Sequence, residues 1–142
     1  MKIIALQGKE NCGKTATLKL LIDLMKSKYK VIGRSNGRGF DYWVKFDVNG
    51  KTAAIYTAGD LGSIIENALK DIGKCDLFVC AVHNYGDTVK CLYEHANKQD
   101  VYLYGRFFYT NSGENLLDVQ KEQNAVNEYQ AKYLFDKIVA II

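Results

Sequence analysis

Short apolar runs alternate along the chain with longer amphipathic segments, and this alternation limits the available folds more than any other feature. The runs with the length and composition of strands lie at residues 2–6, 31–34, 76–82 and 101–104. The segments with apolar residues at helical spacing lie at residues 13–28, between Ser63 and Gly73, from Asp87 to Ala96, and at 115–142. Strands that alternate with helices predict a mainly parallel sheet covered by helices on both faces.

A hairpin is predicted between residues 41–48 and 51–57, because Asn49-Gly50 separates two strand-like runs. We therefore expect an α/β fold with three layers, in which a mainly parallel sheet of five to six strands gains one antiparallel edge strand from this hairpin. The second helix is expected to begin with a capping box at Ser63 and Glu66. Residues 1–142 are expected to form a single domain, because a domain usually takes about 100–200 residues.

Composition excludes several classes of partner. The net charge is +3 without a clustered basic face, so no nucleic-acid binding is indicated. Apolar runs of about five residues are far shorter than the ~20 of a membrane helix, and the apolar stretch at the N-terminus is too short for a signal peptide. These features predict a cytoplasmic protein that does not enter a membrane. The cysteines lack CxxC spacing and paired histidines, so neither a zinc site nor a redox motif is indicated.

One motif carries chemistry, and it lies between the first strand and the first helix. Residues 8–15 read Gly-Lys-Glu-Asn-Cys-Gly-Lys-Thr, which matches G-x-x-x-x-G-K-[ST] in full. Glycines let backbone amides turn inward around a phosphate chain, and a helix amino end adds partial positive charge. Lys14 is predicted to reach the β- and γ-phosphates, and Thr15 to ligate Mg²⁺. The predicted nucleotide-binding residues are Gly8, Lys9, Glu10, Asn11, Cys12, Gly13, Lys14, Thr15 and Ala16.

On these eight residues and their strand–loop–helix setting, the chain resembles the P-loop NTPase superfamily. The resemblance implies a P-loop nucleotide-binding domain that takes a nucleoside triphosphate together with Mg²⁺. It does not name an activity, because that fold hosts hydrolases, kinases, switches and motors.

A second magnesium-side carboxylate is expected at the end of a strand neighbouring the first one. Asp60 fits, because it follows the strand that ends at Thr57, and we predict Lys14 and Asp60 as catalytic residues and Thr15 and Asp60 as metal ligands. Asp76 begins its strand and is predicted to be structural. The hairpin and the turn Thr57-Ala58-Gly59-Asp60 look similar to the second and third strands of small GTPases, although Tyr56 stands where that pattern has its aspartate.

The base is predicted to be adenine, because no Asn-Lys-x-Asp motif for guanine follows the penultimate strand, although GTP stays possible. Asn84-Tyr85-Gly86-Asp87 lacks the lysine of that motif and is predicted to be a loop that ends in a helix cap at Asp87. His83 or Asn84 could orient an attacking water or sense the γ-phosphate.

These features favour a Mg²⁺-dependent ATP-binding protein with slow hydrolysis, since no water-positioning glutamine or arginine finger is evident. A kinase-like phosphotransferase is one alternative, but the only arginines are Arg34, Arg38 and Arg106, too few for an arginine-rich lid. A GTPase-like switch that acts through a protein partner is the other.

Overall fold

The computed structural model describes residues 1–9, 12–36, 41–59, 61–84, 86–107 and 116–142, with side chains in the last segment from residue 120. Its strands are β1 (Lys2–Gln7), β2 (Lys30–Arg34), β3 (Trp43–Val48), β4 (Lys51–Tyr56), β5 (Leu77–Val82) and β6 (Val101–Gly105). Its helices are α1 (Lys14–Lys28), α2 (Gly62–Ile72), α3 (Thr88–His95) and α4 (Leu116–Ile141). The predicted α/β class is confirmed.

The six strands form one mixed sheet in the order β2-β3-β4-β5-β1-β6. β1 pairs in parallel with β5 and β6, and β4 pairs in parallel with β5. β3 pairs antiparallel with both β2 and β4, so the antiparallel strand is second from the edge. The prediction of an antiparallel edge strand was therefore wrong, because β2, the short run before the hairpin, pairs outside β3.

The hairpin itself forms where it was predicted. Asn49 and Gly50 both have positive φ, 54° and 88°, as a tight two-residue turn between twisted strands requires. Asp47 Oδ1 accepts the Gly50 N–H at 2.8 Å and closes the turn. The Asn-Gly pair thus fixes the register of β3 on β4 locally.

Alternating side chains along the strands supply two separate cores, one on each face of the sheet. On one face Ile4 and Val79 pack beneath α1 and α4, and on the other Ile3 and Phe78 pack beneath α2 and α3. All four of these side chains are fully buried. This arrangement gives the three predicted layers, with helices on both faces of the sheet.

The start of α2 differs from the predicted capping box. The helix begins at Gly62, so Ser63 and Glu66 lie within it, and no side chain of its own segment caps it. The carboxylate of Asp87 accepts the Gly62 N–H at 3.3 Å instead. Asp87 stands at the N-cap position of α3, as predicted, but without a side-chain cap hydrogen bond to that helix. Asp87 therefore links the start of α3, where its backbone lies, to the start of α2, to which its carboxylate is hydrogen-bonded.

None of the described helices is both long and apolar enough to cross a membrane.

Candidate functional site

The glycine-rich loop emerges from the carboxyl end of β1 and leads directly into α1. Gly8 N–H donates to Val82 O at 3.1 Å, and Arg106 N–H donates to Gln7 O at 2.8 Å. The loop therefore starts between the ends of β5 and β6, the strands on either side of β1. Glu10 and Asn11, two of its predicted phosphate-binding residues, lie outside the described residues.

Gly13 makes the turn from the loop into the helix. Its φ is +91°, which L side chains rarely adopt, and a Cβ there would lie 2.8 Å from both Arg106 Nη2 and Asn127 Oδ1. The backbone conformation therefore favours glycine at this position, and a larger residue would also displace the ends of these two side chains. Lys14 begins the helix immediately afterwards.

Lys14 is a buried cation at this helix start. Its side chain is 6% exposed, and its Nζ donates to Gly8 O and, at 3.0 Å, to Lys9 O. Within the described part of the chain, no carboxylate forms an ion pair with it. Burial of an ammonium group is costly unless it is paired or fully hydrogen-bonded. Among the described residues, the partners of Lys14 Nζ are neutral carbonyls, which an anion can complement with negative charge.

Thr15 and Ala16, the next two predicted residues, are exposed at the first turn of α1. Thr15 Oγ1 donates to Thr57 O at 3.2 Å, which joins α1 to the turn after β4. Thr57 is fully buried, and its Oγ1 accepts the Tyr42 N–H at 3.1 Å. The turn that leads to Asp60 therefore touches the predicted metal-ligating threonine.

Asp60 itself lies outside the described residues, but the position of its strand corrects one expectation. β4, the strand that precedes Asp60, does not neighbour β1, because β5 lies between them. Sequence order could not reveal this insertion, since β5 comes after β4 in the chain and α2 connects them. As a consequence, the residues after β5 lie beside the loop.

His83 and Asn84 are those residues, and they differ in exposure. His83 is 7% exposed, its N–H donates to Thr88 Oγ1 at 3.2 Å, and its carbonyl accepts Gln7 Nε2 at 3.5 Å. Asn84 is exposed to solvent. Of the two residues singled out from the sequence, Asn84 is the more accessible to a ligand in front of the loop.

A polar network behind the loop was not predicted. Arg106 Nε donates to Cys12 O at 2.7 Å, and its two terminal nitrogens donate to Gln130 Oε1 and Asn127 Oδ1 of α4. Thr17 Oγ1 lies 2.8 Å from Gly13 O and 3.3 Å from Asn127 Oδ1, within hydrogen-bonding distance of both. The guanidinium therefore fixes the loop against the last helix.

A groove of 390 Å³ opens between α2 and the ends of β3 and β4, where β3 begins and β4 ends. Its lining includes Asp41, Tyr42, Trp43 and Asp71. Trp43 Nε1 donates to Asp71 Oδ2 at 2.8 Å. Burial, with a smaller effect from the Asp23 carboxylate, raises the pKa of Tyr42 above its ordinary value. The lining holds two carboxylates and, among the described residues, neither lysine nor arginine.

Asp76, the carboxylate predicted from the sequence to be structural, lies before the start of β5, at the end of the strands opposite to the glycine-rich loop. Asp76 Oδ2 accepts the Thr52 N–H at 2.8 Å and the Thr52 hydroxyl at 3.2 Å. The backbone hydrogen bond from Thr52 is the main reason that the pKa of this carboxyl is lowered. Asp76 therefore joins the starts of β4 and β5, which agrees with its predicted structural role.

The chain matches no protein-family model, no curated protein and no solved structure.

Proposed function

We propose that this chain is a P-loop nucleotide-binding protein that binds ATP with Mg²⁺ and hydrolyses it slowly. The observation that carries the proposal is the buried Lys14 ammonium, whose partners among the described residues are two carbonyl oxygens of the loop at the amino end of α1. A bound phosphate would replace these neutral carbonyls with charged oxygens as the partners of Lys14 Nζ. Hydrogen bonds that involve charged groups are roughly twice as strong as those between neutral groups.

The loop supplies the rest of the phosphate site. Backbone amides of residues 8–16 would face the phosphates, and Gly13 supports this role because its left-handed conformation brings the chain into the helix start. Lys14 would neutralise negative charge that develops on the γ-phosphoryl group. The complete motif in a strand–loop–helix setting favours this chemistry over a chance glycine-rich turn.

Thr15 and Asp60 are the proposed Mg²⁺ ligands. Thr15 is an exposed residue at the helix start, and rotation of its side chain would free the hydroxyl from its hydrogen bond with Thr57 O to bind the metal. Mg²⁺, when bound with the nucleotide, would help to neutralise the phosphate oxygens. We expect Asp60→Asn to weaken the Mg²⁺ dependence of binding, and an unchanged dependence would remove Asp60 from the site.

Adenine is the proposed base because the chain lacks the guanine motif, and water is the proposed acceptor. A kinase-like activity is less favoured, because the Arg106 guanidinium is engaged with Cys12 O and with α4. The groove beside α2 is also unsuited to a phosphorylated acceptor, because Asp41 and Asp71 would repel it. A switch that acts through a protein partner would use the same loop and differ in its rate of hydrolysis.

The direct test is nucleotide binding by the wild type and by Lys14→Ala, measured by thermal shift and calorimetry with ATP, ADP, GTP and GDP, each with and without Mg²⁺. A ligand at 100 times its Kd should stabilise the wild type by about 2.7 kcal/mol. Lys26→Ala is the matched control, because Lys26 is an exposed lysine in the last turn of the same helix.

We expect Mg²⁺-ATP to raise the Tm of the wild type and of Lys26→Ala, and Lys14→Ala to lose at least about tenfold in affinity, since a charged hydrogen bond contributes about 1.5–3 kcal/mol. If none of the four nucleotides raises the Tm, or if Lys14→Ala binds as tightly as the wild type, the phosphate-loop proposal is wrong. If a nucleotide does bind, phosphate release with water alone would indicate an ATPase. A kinase would need an acceptor for turnover, and a switch would bind the nucleotide with negligible turnover.

A further inference from the structure

Three side chains with metal-binding donors meet on the other face of the sheet, between α2 and α3. Glu66 comes from α2, and Cys91 and His95 come from α3. His95 Nε2 donates to Glu66 Oε1 at 2.6 Å, and Cys91 Sγ donates to the same oxygen at 3.4 Å. The three donor atoms all lie within 4.8 Å of one another.

The sheet order explains why these residues meet. α2 and α3 follow the neighbouring parallel strands β4 and β5, so the two helices lie side by side and run in the same direction. Cys91 and His95 are four residues apart, which places both on one side of α3. Cys91 Sγ also approaches Gly62 O at 3.6 Å. α3 therefore contacts α2 at two positions, Gly62 and Glu66.

We propose that Glu66, Cys91 and His95 form a Zn²⁺ site, with water as the fourth ligand. Carboxylate, thiolate and imidazole are the three types of side chain that bind zinc in proteins. In a tetrahedral zinc site with bonds of about 2.0–2.3 Å, neighbouring donor atoms are roughly 3.5 Å apart. The distances from Glu66 Oε1 to Cys91 Sγ and to His95 Nε2, 3.4 and 2.6 Å, lie at and below that value, so side-chain rotations that separate Glu66 from His95 would make room for the ion.

The surroundings of the cluster favour a cation and allow it to enter. The Glu66 and His95 side chains are 34% and 30% exposed, whereas Cys91 is buried at the inner side of the cluster. The carboxylates of Glu66, Glu94 and Asp87 act electrostatically on the Cys91 thiol, so the cluster lies in a region of negative charge. Zinc binding would release the proton of the Cys91 thiol to solvent.

This site is distinct from the proposed Mg²⁺ position and does not depend on the proposed nucleotide binding. Magnesium prefers oxygen ligands, and thiolate ligands select softer ions such as zinc. A bound zinc would crosslink two helices that are otherwise joined in the described residues by hydrogen bonds and apolar contacts. It would therefore stabilise the segments that follow β4 and β5.

The test is Co²⁺ titration of the full chain after removal of metal by a chelator, without nucleotide, followed by competition with Zn²⁺. We expect one Co²⁺ per chain, a thiolate-to-cobalt charge-transfer band in the near ultraviolet, and loss of that band when Zn²⁺ displaces the ion. Cys91→Ser should abolish the band. His95→Gln and Glu66→Gln should each weaken Zn²⁺ binding by at least about tenfold, since even groups that only orient a ligand cost 10–100-fold.

Two controls test whether cobalt binding depends on the three proposed ligands, and not on nearby negative charge or on another thiol. Glu94→Gln removes an exposed carboxylate of α3 that is not a proposed ligand, and Cys12→Ser removes a thiol in the glycine-rich loop; both should keep the band. No band in the wild type, a band that survives Cys91→Ser, or a band that Cys12→Ser abolishes would overturn the proposal. If Cys91→Ser fails to fold, unchanged Zn²⁺ affinity in both folded variants, His95→Gln and Glu66→Gln, would overturn it equally.

Discussion

Gly59, in the turn after β4, is the position at which a single methyl group should disturb the fold most. A Cβ built there would lie 1.6 Å from the carbonyl oxygen of Ala81 and 2.6 Å from its carbonyl carbon. Ala81 is buried in β5, with neighbouring strands on both sides. Gly59→Ala therefore forces backbone against backbone, where no flexible side chain can move away.

The size of the effect follows from that distance. Carbon and carbonyl oxygen approach to about 3.3 Å in tight native contacts, so the turn would have to move away from β5 by about 1.7 Å. Overpacking of a core costs about 1–3 kcal/mol, and more where the neighbour is rigid. We expect Gly59→Ala to lower the free energy of unfolding by about 3 kcal/mol, which is a shift of about 1.5 M in the urea midpoint at about 2 kcal/mol/M.

Gly105→Ala is the matched control, because Gly105 also stands at the carboxyl end of a strand on this edge of the sheet. Nothing lies within 4 Å of a Cβ built there, and its φ is not in the left-handed region. Urea denaturation followed by circular dichroism should place this variant within about 0.5 kcal/mol of the wild type. A loss below 1 kcal/mol for Gly59→Ala, or equal losses in both variants, would refute the reasoning.

Two further predictions concern polar contacts. A lysine at position 106 cannot hydrogen-bond to Cys12 O and to both side-chain amides of α4. Arg106→Lys should therefore lower the free energy of unfolding, measured by urea denaturation, by about 1.5–3 kcal/mol. An unchanged urea midpoint would mean that the network contributes no stability. Asp76 has a folded pKa below its unfolded value, so its ionised form stabilises the protein above about pH 4 and this contribution is lost as pH falls through the folded pKa. The stability gap between wild type and Asp76→Asn should thus be larger at pH 7 than at pH 3, and an equal gap at both would contradict the assignment to Thr52.

Much of the local structure could be predicted because periodicity and turn residues act over a few positions. The hairpin at Asn49-Gly50 and the loop-to-helix turn at Gly13 depend on backbone conformations that glycine adopts readily. The capping box at Ser63 failed because a distant carboxylate, that of Asp87, took the role of the local side chain. Tertiary contacts therefore overrode the local signal at this helix start.

The surroundings of the candidate site were less predictable than its loop. Asn127 and Gln130 are polar residues of a long helix, yet Gln130 is fully buried and Asn127 is 7% exposed, because Arg106 supplies their partner. The pairing of Glu66 with residues of α3 likewise depends on which strands are neighbours. Apolar spacing encodes that a segment is a strand, but not which strand lies beside it.

The sheet order also has a consequence for how the chain acquires its structure during synthesis. β1 pairs only with later strands, as the pairings of Ile3 with Phe78 and with Val101 show. β1 leaves the ribosome first, yet it has to wait for β5, whereas the hairpin of β3 and β4 can close as soon as β4 has emerged. Loop closure over such separations slows folding. We therefore expect the glycine-rich loop to take its final shape late, after the first half of the chain has already formed its hairpin.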